Sequence, residues 1–255
     1  MKVALFQTDL IWVNPKENRT FIEEHFINEK ESFDLFVLPE MFTTGFTMYP
    51  ENVAETMQGE TISWMKSLAL KKDCAVCGSL VVSENNSFYN RFIFVHPNGK
   101  IDFYNKRHLF SLAGEHHKYS KGTEKVIIEY KDWKICPQVC YDLRFPAFSR
   151  NHENYDLLLY IANWPKLRTN AWDILLKARA VENMCYVVGV NRIGFDENNH
   201  EYVGHSQVVD ELGNQILDAE ENLGVFITEL DKNKMLETRN KLNFLNDKDD
   251  FEIIF

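Results

Sequence analysis

Three residues far apart in the chain have the types needed for acyl transfer: a carboxylate at Glu40, a cation at Lys106 and a thiol at Cys140. Cys140 follows an apolar-rich stretch over 134–139 and precedes Tyr141-Asp142-Leu143-Arg144-Phe145-Pro146, which predicts strand, tight turn and a helix with proline near its start. Such an elbow projects a side chain off the sheet, beside backbone N–H groups that lower a thiol's pKa and offer an oxyanion a donor. Glu40 closes the apolar run Asp34-Leu35-Phe36-Val37-Leu38-Pro39, where desolvation raises the basicity of a carboxylate. Lys106 follows an apolar stretch over 101–104 and is placed to hold an oxyanion or restrain a neighbouring carboxylate. Singly, each has a plainer reading: a lone cysteine is most often core packing, and a lone loop charge is most often solvated. They gain weight together because each ends a predicted strand, and strand ends on one side of a sheet converge on a common crevice.

The elements that must position them are legible from pattern. Asn14-Pro15 reads as an N-cap and first helical residue, opening a helix that runs to about residue 30. Apolar residues at Ile62, Met65, Leu68 and Ala69 predict a helix over 61–71, and further helices are expected over 146–152 and 172–184. Strands are expected over 3–6, 34–38, 75–82, 88–96, 101–104, 125–129, 134–139, 156–162, 186–191, 203–210, 214–217 and 225–229, with Asn98-Gly99 turning one hairpin. No repeat or linker divides the chain, so residues 1–255 are read as one domain, with 240–255 a C-terminal tail. That tail holds a charged stretch over 246–250 before Phe251 and Ile253-Ile254-Phe255, and it either docks on a partner subunit or frays.

Composition excludes several classes. The 255 residues carry 28 Lys plus Arg against 38 Asp plus Glu, a formal net charge of −10, with no basic block for nucleic-acid phosphates to meet. The longest apolar run, Met184 to Val190, is seven residues, well short of the roughly 20 a membrane-spanning helix needs. Five cysteines, an odd number, argue against a disulfide framework and for a reducing, cytoplasmic setting. Cys74 and Cys77 have zinc-knuckle spacing but lack a second ligand pair, so no metal is expected. No phosphate-binding glycine loop is present, and no cofactor is expected. His116, His117 and His205 allow a Cys–His protease reading, which leaves Glu40 and Lys106 without a role.

These motifs resemble those of the nitrilase superfamily of carbon–nitrogen hydrolases, in which a Glu, a Lys and a Cys occur in this chain order. The resemblance maps them onto Glu40 in Leu38-Pro39-Glu40-Met41-Phe42, Lys106 in Tyr104-Asn105-Lys106-Arg107-His108, and Cys140 in Val139-Cys140-Tyr141-Asp142-Leu143-Arg144. A second family glutamate falls on Glu115, to orient Lys106 or bind the reacting amide. Phe42-Thr43-Thr44-Gly45-Phe46 and Ala113-Gly114-Glu115-His116 are similar to bacterial omega-amidases acting on 2-oxoglutaramate and 2-oxosuccinamate.

The resemblance implies a four-layer α-β-β-α sandwich, homodimerisation through a helical face, and hydrolysis of a small amide through a thioester on Cys140. In that reading the Tyr141 N–H and Lys106 hold the oxyanion, Arg168 meets the substrate carboxylate, and Phe42, Phe46 and Trp164 wall its carbon chain. The alternatives are a related amidase or carbamoylase acting on another small amide, and a non-catalytic assembly scaffold of the same fold.

Overall fold

The computed structural model describes residues 1–253. Its first sheet contains β1 (Lys2–Gln7), β2 (Leu35–Val37), β3 (Ala75–Glu84), β4 (Ser87–Val95), β5 (Ile101–Asn105) and, from late in the chain, β14 (Gly224–Glu229), in the order β14-β1-β2-β3-β4-β5. The second contains β6 (Ile128–Tyr130), β7 (Trp133–Val139), β8 (Leu157–Ala162), β9 (Tyr186–Asn191), β12 (Gln207–Val209) and β13 (Gln215–Asp218), in the order β13-β12-β9-β8-β7-β6. A ribbon of β10 (Ile193–Phe195) and β11 (Glu201–Val203) stands apart.

Strand alternation explains the layering. Val3 and Leu5 of β1, Phe92 and Phe94 of β4, and Leu157, Leu159 and Ile161 of β8 form one apolar layer between the sheets. The opposite face of the first sheet, with Ala4, Phe6, Ile93 and Val95, packs on α1 (Pro15–Asn28) and α2 (Glu60–Lys72) through Ile22, Phe26, Ile62, Met65 and Leu68. The opposite face of the second sheet packs on α4 (Thr169–Asn183) through Trp172, Leu176 and Ala180, a stripe four residues apart on one side of the helix. α4 lies so close that a Cβ on Gly189 of β9 would stand 2.6 Å from Leu176. The result is the four-layer α-β-β-α sandwich.

Asn14 caps α1, its side chain accepting the Glu17 N–H at 3.2 Å, and Pro15 opens the helix. Three expectations need correction. The strand over 203–210 is broken at Gly204-His205-Ser206, because Gly204 and His205 both take left-handed backbone angles and turn the chain between β11 and β12. The helix over 146–152 is the single turn α3 (Pro146–Ser149), and residues Cys140–Arg144 before it form a 3-10 turn. Helix α5 (Lys232–Leu242) and strand β10 went unread, since α5 is mostly polar and buries only Met235.

Within the 240–255 segment, α5 ends and a 3-10 turn follows at Phe244–Asp247; Phe251 then meets the His152 ring at 5.0 Å and Ile253 packs on the inter-sheet core of its own chain. Ile254 and Phe255 lie outside the described residues.

β2, β5, β7 and β8 all point the same way within their sheets, so Glu40, Lys106, Cys140 and Asn163, which follow them, share one edge of the sandwich. The loop after Lys106 is held against this edge by Gly122, whose N–H donates to the Lys106 carbonyl at 2.9 Å. A Cβ there would stand 2.1 Å from the Asn105 carbonyl oxygen, a backbone atom that cannot move alone. Gly122→Ala is expected to cost about 1–3 kcal/mol in chemical denaturation and to lower activity by displacing Lys106. Unchanged stability and activity would remove the close approach as a constraint.

Candidate active site

Lys106 continues the inward face of β5, two residues after the buried Tyr104, and its side chain is wholly buried. Its ammonium donates to Glu40 Oε1 at 2.9 Å and to Glu115 at 3.1 Å (Oε1) and 3.0 Å (Oε2). Both carboxylates are equally buried. Burial alone would lower the basicity of this lysine, but the charges of Glu115 and Glu40 outweigh it and hold the ammonium firmly protonated. Glu115 is pushed above the usual carboxylate range by burial; Lys106 opposes the shift and Glu40 adds to it.

The remaining lone pairs are met by neutral donors. Asn90, on the inward face of β4 two residues before Phe92, donates to Glu40 Oε1 at 2.7 Å and approaches Glu115 Oε1 at 3.4 Å. The Asn163 N–H donates to Glu40 Oε2 at 2.8 Å, and the Asn163 side chain holds the Glu40 carbonyl at 2.6 Å. The Phe110 N–H donates to Glu115 Oε2.

Cys140 occupies the elbow at φ +47°, a left-handed conformation that costs a non-glycine residue of order 1–3 kcal/mol. Asp142, fully buried, pays for it with a fourfold grip. It accepts from the Val139 N–H at 2.9 Å, the Tyr104 hydroxyl at 2.8 Å and the His108 N–H at 2.9 Å, and lies 2.8 Å from His108 Nδ1. Behind the elbow, the buried guanidinium of Arg179 donates to the Leu143 carbonyl at 2.6 Å. The thiol faces the Asn163 carbonyl at 3.9 Å. The expectation that the elbow lowers the thiol's pKa is overturned: burial pushes it well up, and the negative charge of Glu40 pushes it further, with Lys106 only partly offsetting both. The resting side chain is a thiol.

Above this cluster lies a cavity of about 340 Å³, with Cys140, Tyr141, Asn163, Trp164, Phe46, Phe110, Arg144 and Arg168 among its walls. Glu40, Lys106 and Glu115 are not among its walls, and Phe46, which is, holds its ring 5.0 Å from the Lys106 ammonium. Arg168 sits over the Phe110 ring at 5.2 Å and Arg144 over the Trp164 ring at 4.9 Å. The Trp164 indole N–H donates to the Arg168 carbonyl at 2.8 Å.

The structure therefore brings together Glu40, Lys106, Glu115 and Cys140, and places Tyr141, Trp164, Arg168 and Phe46 on the cavity. Phe42 does not belong there: it is wholly buried on the outer face of the first sheet, against Leu38 and the Trp64 ring. The three histidines of the Cys–His reading are not among the cavity's walls: His205 lies 3.1 Å from Asp173, and His116 and His117 are on the surface. Asn90, Asp142 and Arg144 were missed as site residues. A polar amide at an inward position of an otherwise apolar strand was the available signal for Asn90.

The family profile described as carbon-nitrogen hydrolase matches residues 2–240. The chain is 43% identical to the omega-amidase YafV of Yersinia enterocolitica over 263 residues, covering 100% of this chain and 99% of that protein. It is 32% identical to the 2-oxoglutaramate amidase of Bacillus subtilis over 250 residues, covering 96% of each. Among solved structures, a CN-hydrolase superfamily protein of Xanthomonas campestris with an arsenic adduct in its active site superposes with a TM-score of 0.96 at 37% identity, covering 99% of this chain and 98% of that one. With sheet order, full-length similarity and the buried Glu–Lys–Glu set in agreement, the chain belongs to the carbon–nitrogen hydrolase family.

Proposed function

We propose that this protein is a thiol amidase that hydrolyses the terminal amide of a short 2-oxo dicarboxylic acid monoamide, of the 2-oxoglutaramate or 2-oxosuccinamate type, to the acid and ammonia. The observation that carries the reading is the buried Lys106 ammonium, 2.9 Å from Glu40, 3.0 Å from Glu115 and 5.0 Å from the ring of Phe46, which with Cys140 walls the cavity. The similarity to proteins named omega-amidase and 2-oxoglutaramate amidase supports the substrate class.

In this reading the Cys140 sulfur attacks the amide carbon as its proton passes to Glu40, and the carbonyl oxygen becomes an oxyanion held by Lys106 and the Tyr141 N–H. Collapse breaks the carbon–nitrogen bond; Glu40 returns the proton to nitrogen, ammonia leaves, and a thioester remains on Cys140. Water then attacks the thioester carbon while Glu40 takes its proton; the carbon–sulfur bond breaks, Glu40 returns the proton to sulfur, and the acid departs. Glu115 keeps Lys106 aimed. Phe46 and Trp164 wall the short carbon chain, and the guanidinium of Arg168, with Arg144 beside it, meets the distal carboxylate.

The same proposal covers organisation. Residues 1–255 form one carbon–nitrogen hydrolase domain acting in the cytoplasm, a setting supported by five free thiols. The chain pairs as a homodimer through its helical layer, where Ile174 and Val181 on the outer side of α4 are 57% and 49% exposed and Leu212 nearby is 51% exposed.

Ammonia release measured over a panel of small amides is expected to favour the two 2-oxo acid amides; a clear preference for a carbamoyl or simple aliphatic amide would overturn the substrate assignment. Lys106→Ala should lower turnover by a factor on the order of hundreds, since one oxyanion donor is worth about 2.7–4 kcal/mol. Arg168→Gln and Arg144→Gln should raise KM for 2-oxosuccinamate roughly tenfold or more with smaller effects on kcat, as lost charge-assisted contacts do; an unchanged KM in both means another group reads the acid. Sedimentation should give twice the chain mass, and Val181→Glu should reduce it to the single chain.

A further inference from the structure

Asn90 is wholly buried among the charged groups of the site, yet no step of the mechanism above uses it. Its Nδ2 donates to Glu40 Oε1 at 2.7 Å and faces Glu115 Oε1 at 3.4 Å, while its backbone carbonyl accepts the Lys106 backbone N–H at 2.9 Å. The far end of the amide, Oδ1, is buried with no hydrogen-bond partner among the described residues. The amide can meet two carboxylates only with its NH₂ end, so its orientation is set. Leaving a buried acceptor unsatisfied is unfavourable, and the contacts at the NH₂ end are what offset it.

The two oxygens of Glu40 are consequently unequal. Oε1 accepts from Lys106 at 2.9 Å and from Asn90, which occupies its lone pairs. Oε2 accepts one short bond, from the Asn163 N–H at 2.8 Å, and only a long one, from the Asn163 side-chain amide at 3.5 Å; Asn163 is also the residue whose carbonyl faces the Cys140 thiol. We infer that Asn90 is a positioning residue that, with Lys106, pins Oε1 of Glu40 and so leaves Oε2 as the oxygen that exchanges protons with Cys140 and the substrate. A neutral amide suits the task. A second cation in its place would fix the carboxylate equally well but suppress the basicity the reaction needs. The inference rests on the amidase reading for its catalytic meaning.

Glu40 is faced by the Lys106 ammonium, the Glu115 carboxyl, the Cys140 thiol and, more distantly, the Tyr119 phenol. They share one buried volume, so a proton gained or lost by one changes the field at the others. Removing the Asn90 donor destabilises the set's more ionised form, so a higher pH is needed to reach it. The test compares Asn90→Leu and the near-isosteric Asn90→Asp with the unaltered protein, reading kcat and KM for 2-oxoglutaramate from pH 5 to 9. In parallel, the rate of Cys140 alkylation by iodoacetamide is followed by intact mass, the other four cysteines being buried.

The expected result is at least a tenfold loss of kcat at pH 6 that shrinks as pH rises, with KM changed less than twofold. The alkylation rate should show the same pH-dependent deficit, larger in Asn90→Asp, which adds a third carboxylate. If Asn90→Leu does not fold, Asn90→Asp carries the test on its own. No deficit, or one that is uniform across pH in both readouts, overturns the inference. If the unaltered protein releases no ammonia from 2-oxoglutaramate while the alkylation deficit persists, the substrate reading fails and the Asn90 assignment stands.

Discussion

Lys106 holds its charge between Glu40 and Glu115 with none of the three side chains exposed, and much of the architecture answers to that arrangement. Taking ions out of water costs several kcal/mol each, and their mutual attraction compensates only when geometry is good and the leftover lone pairs are satisfied. Here the satisfying donors come from four separate places: Asn90 on β4, the Phe110 backbone, the Asn163 backbone and Lys106 itself. No local segment can supply them all. The charged cluster therefore exists only when both sheets are assembled face to face, which ties the chemistry to the completed fold.

The same interdependence explains how strain is tolerated at the site. Met41, immediately after Glu40, and Cys140 both adopt left-handed backbone angles, at φ +42° and +47°. Neither residue would choose this alone. Met41 is held by its N–H on the Ser79 hydroxyl at 2.8 Å, and Cys140 by the hydrogen bonds converging on Asp142. Asp142 also grips His108, two residues past Lys106, so a single buried carboxylate fixes the spacing between the nucleophile's elbow and the cation's loop. Strain here is local, and the restraint that maintains it is shared between sheets.

Much of this was legible in the sequence, for reasons that differ by element. Helix α1 is marked by its Asn14-Pro15 cap, and α4 and the inner strands by their apolar residues, and their ends fell within a few residues of expectation. The residues ending strands, Glu40, Lys106 and Cys140, were visible because an apolar run stops just before or just after each. What escaped depended on three-dimensional context. Phe42 reads like a pocket aromatic by its closeness to Glu40, but the tight turn at Met41 sends it to the opposite face of the sheet, where it packs on Trp64. The thiol's acid strength was misjudged because an elbow's exposed N–H groups matter less than desolvation beside a carboxylate. α5 escaped because a surface helix with one buried side chain leaves almost no periodic trace.

The protonated resting thiol fits the charge balance of the site. Lys106 is the one cation of the buried set, placed between two carboxyl groups and beside a neutral Cys140 thiol. In the proposed reaction the proton moves from sulfur to Glu40 as the negative charge passes onto the substrate oxygen beside Lys106, so the total within the pocket does not change. The amide enters neutral at its reacting end and ammonia leaves neutral, which keeps each later step a redistribution of that same charge. A preformed thiolate would instead place a further uncompensated charge in a water-poor site, the arrangement that burial penalises most heavily. The buried Lys106 is thus shared in turn by Glu40 and the developing oxyanion, and Glu115 keeps it in place as its first partner gives up charge to the incoming proton.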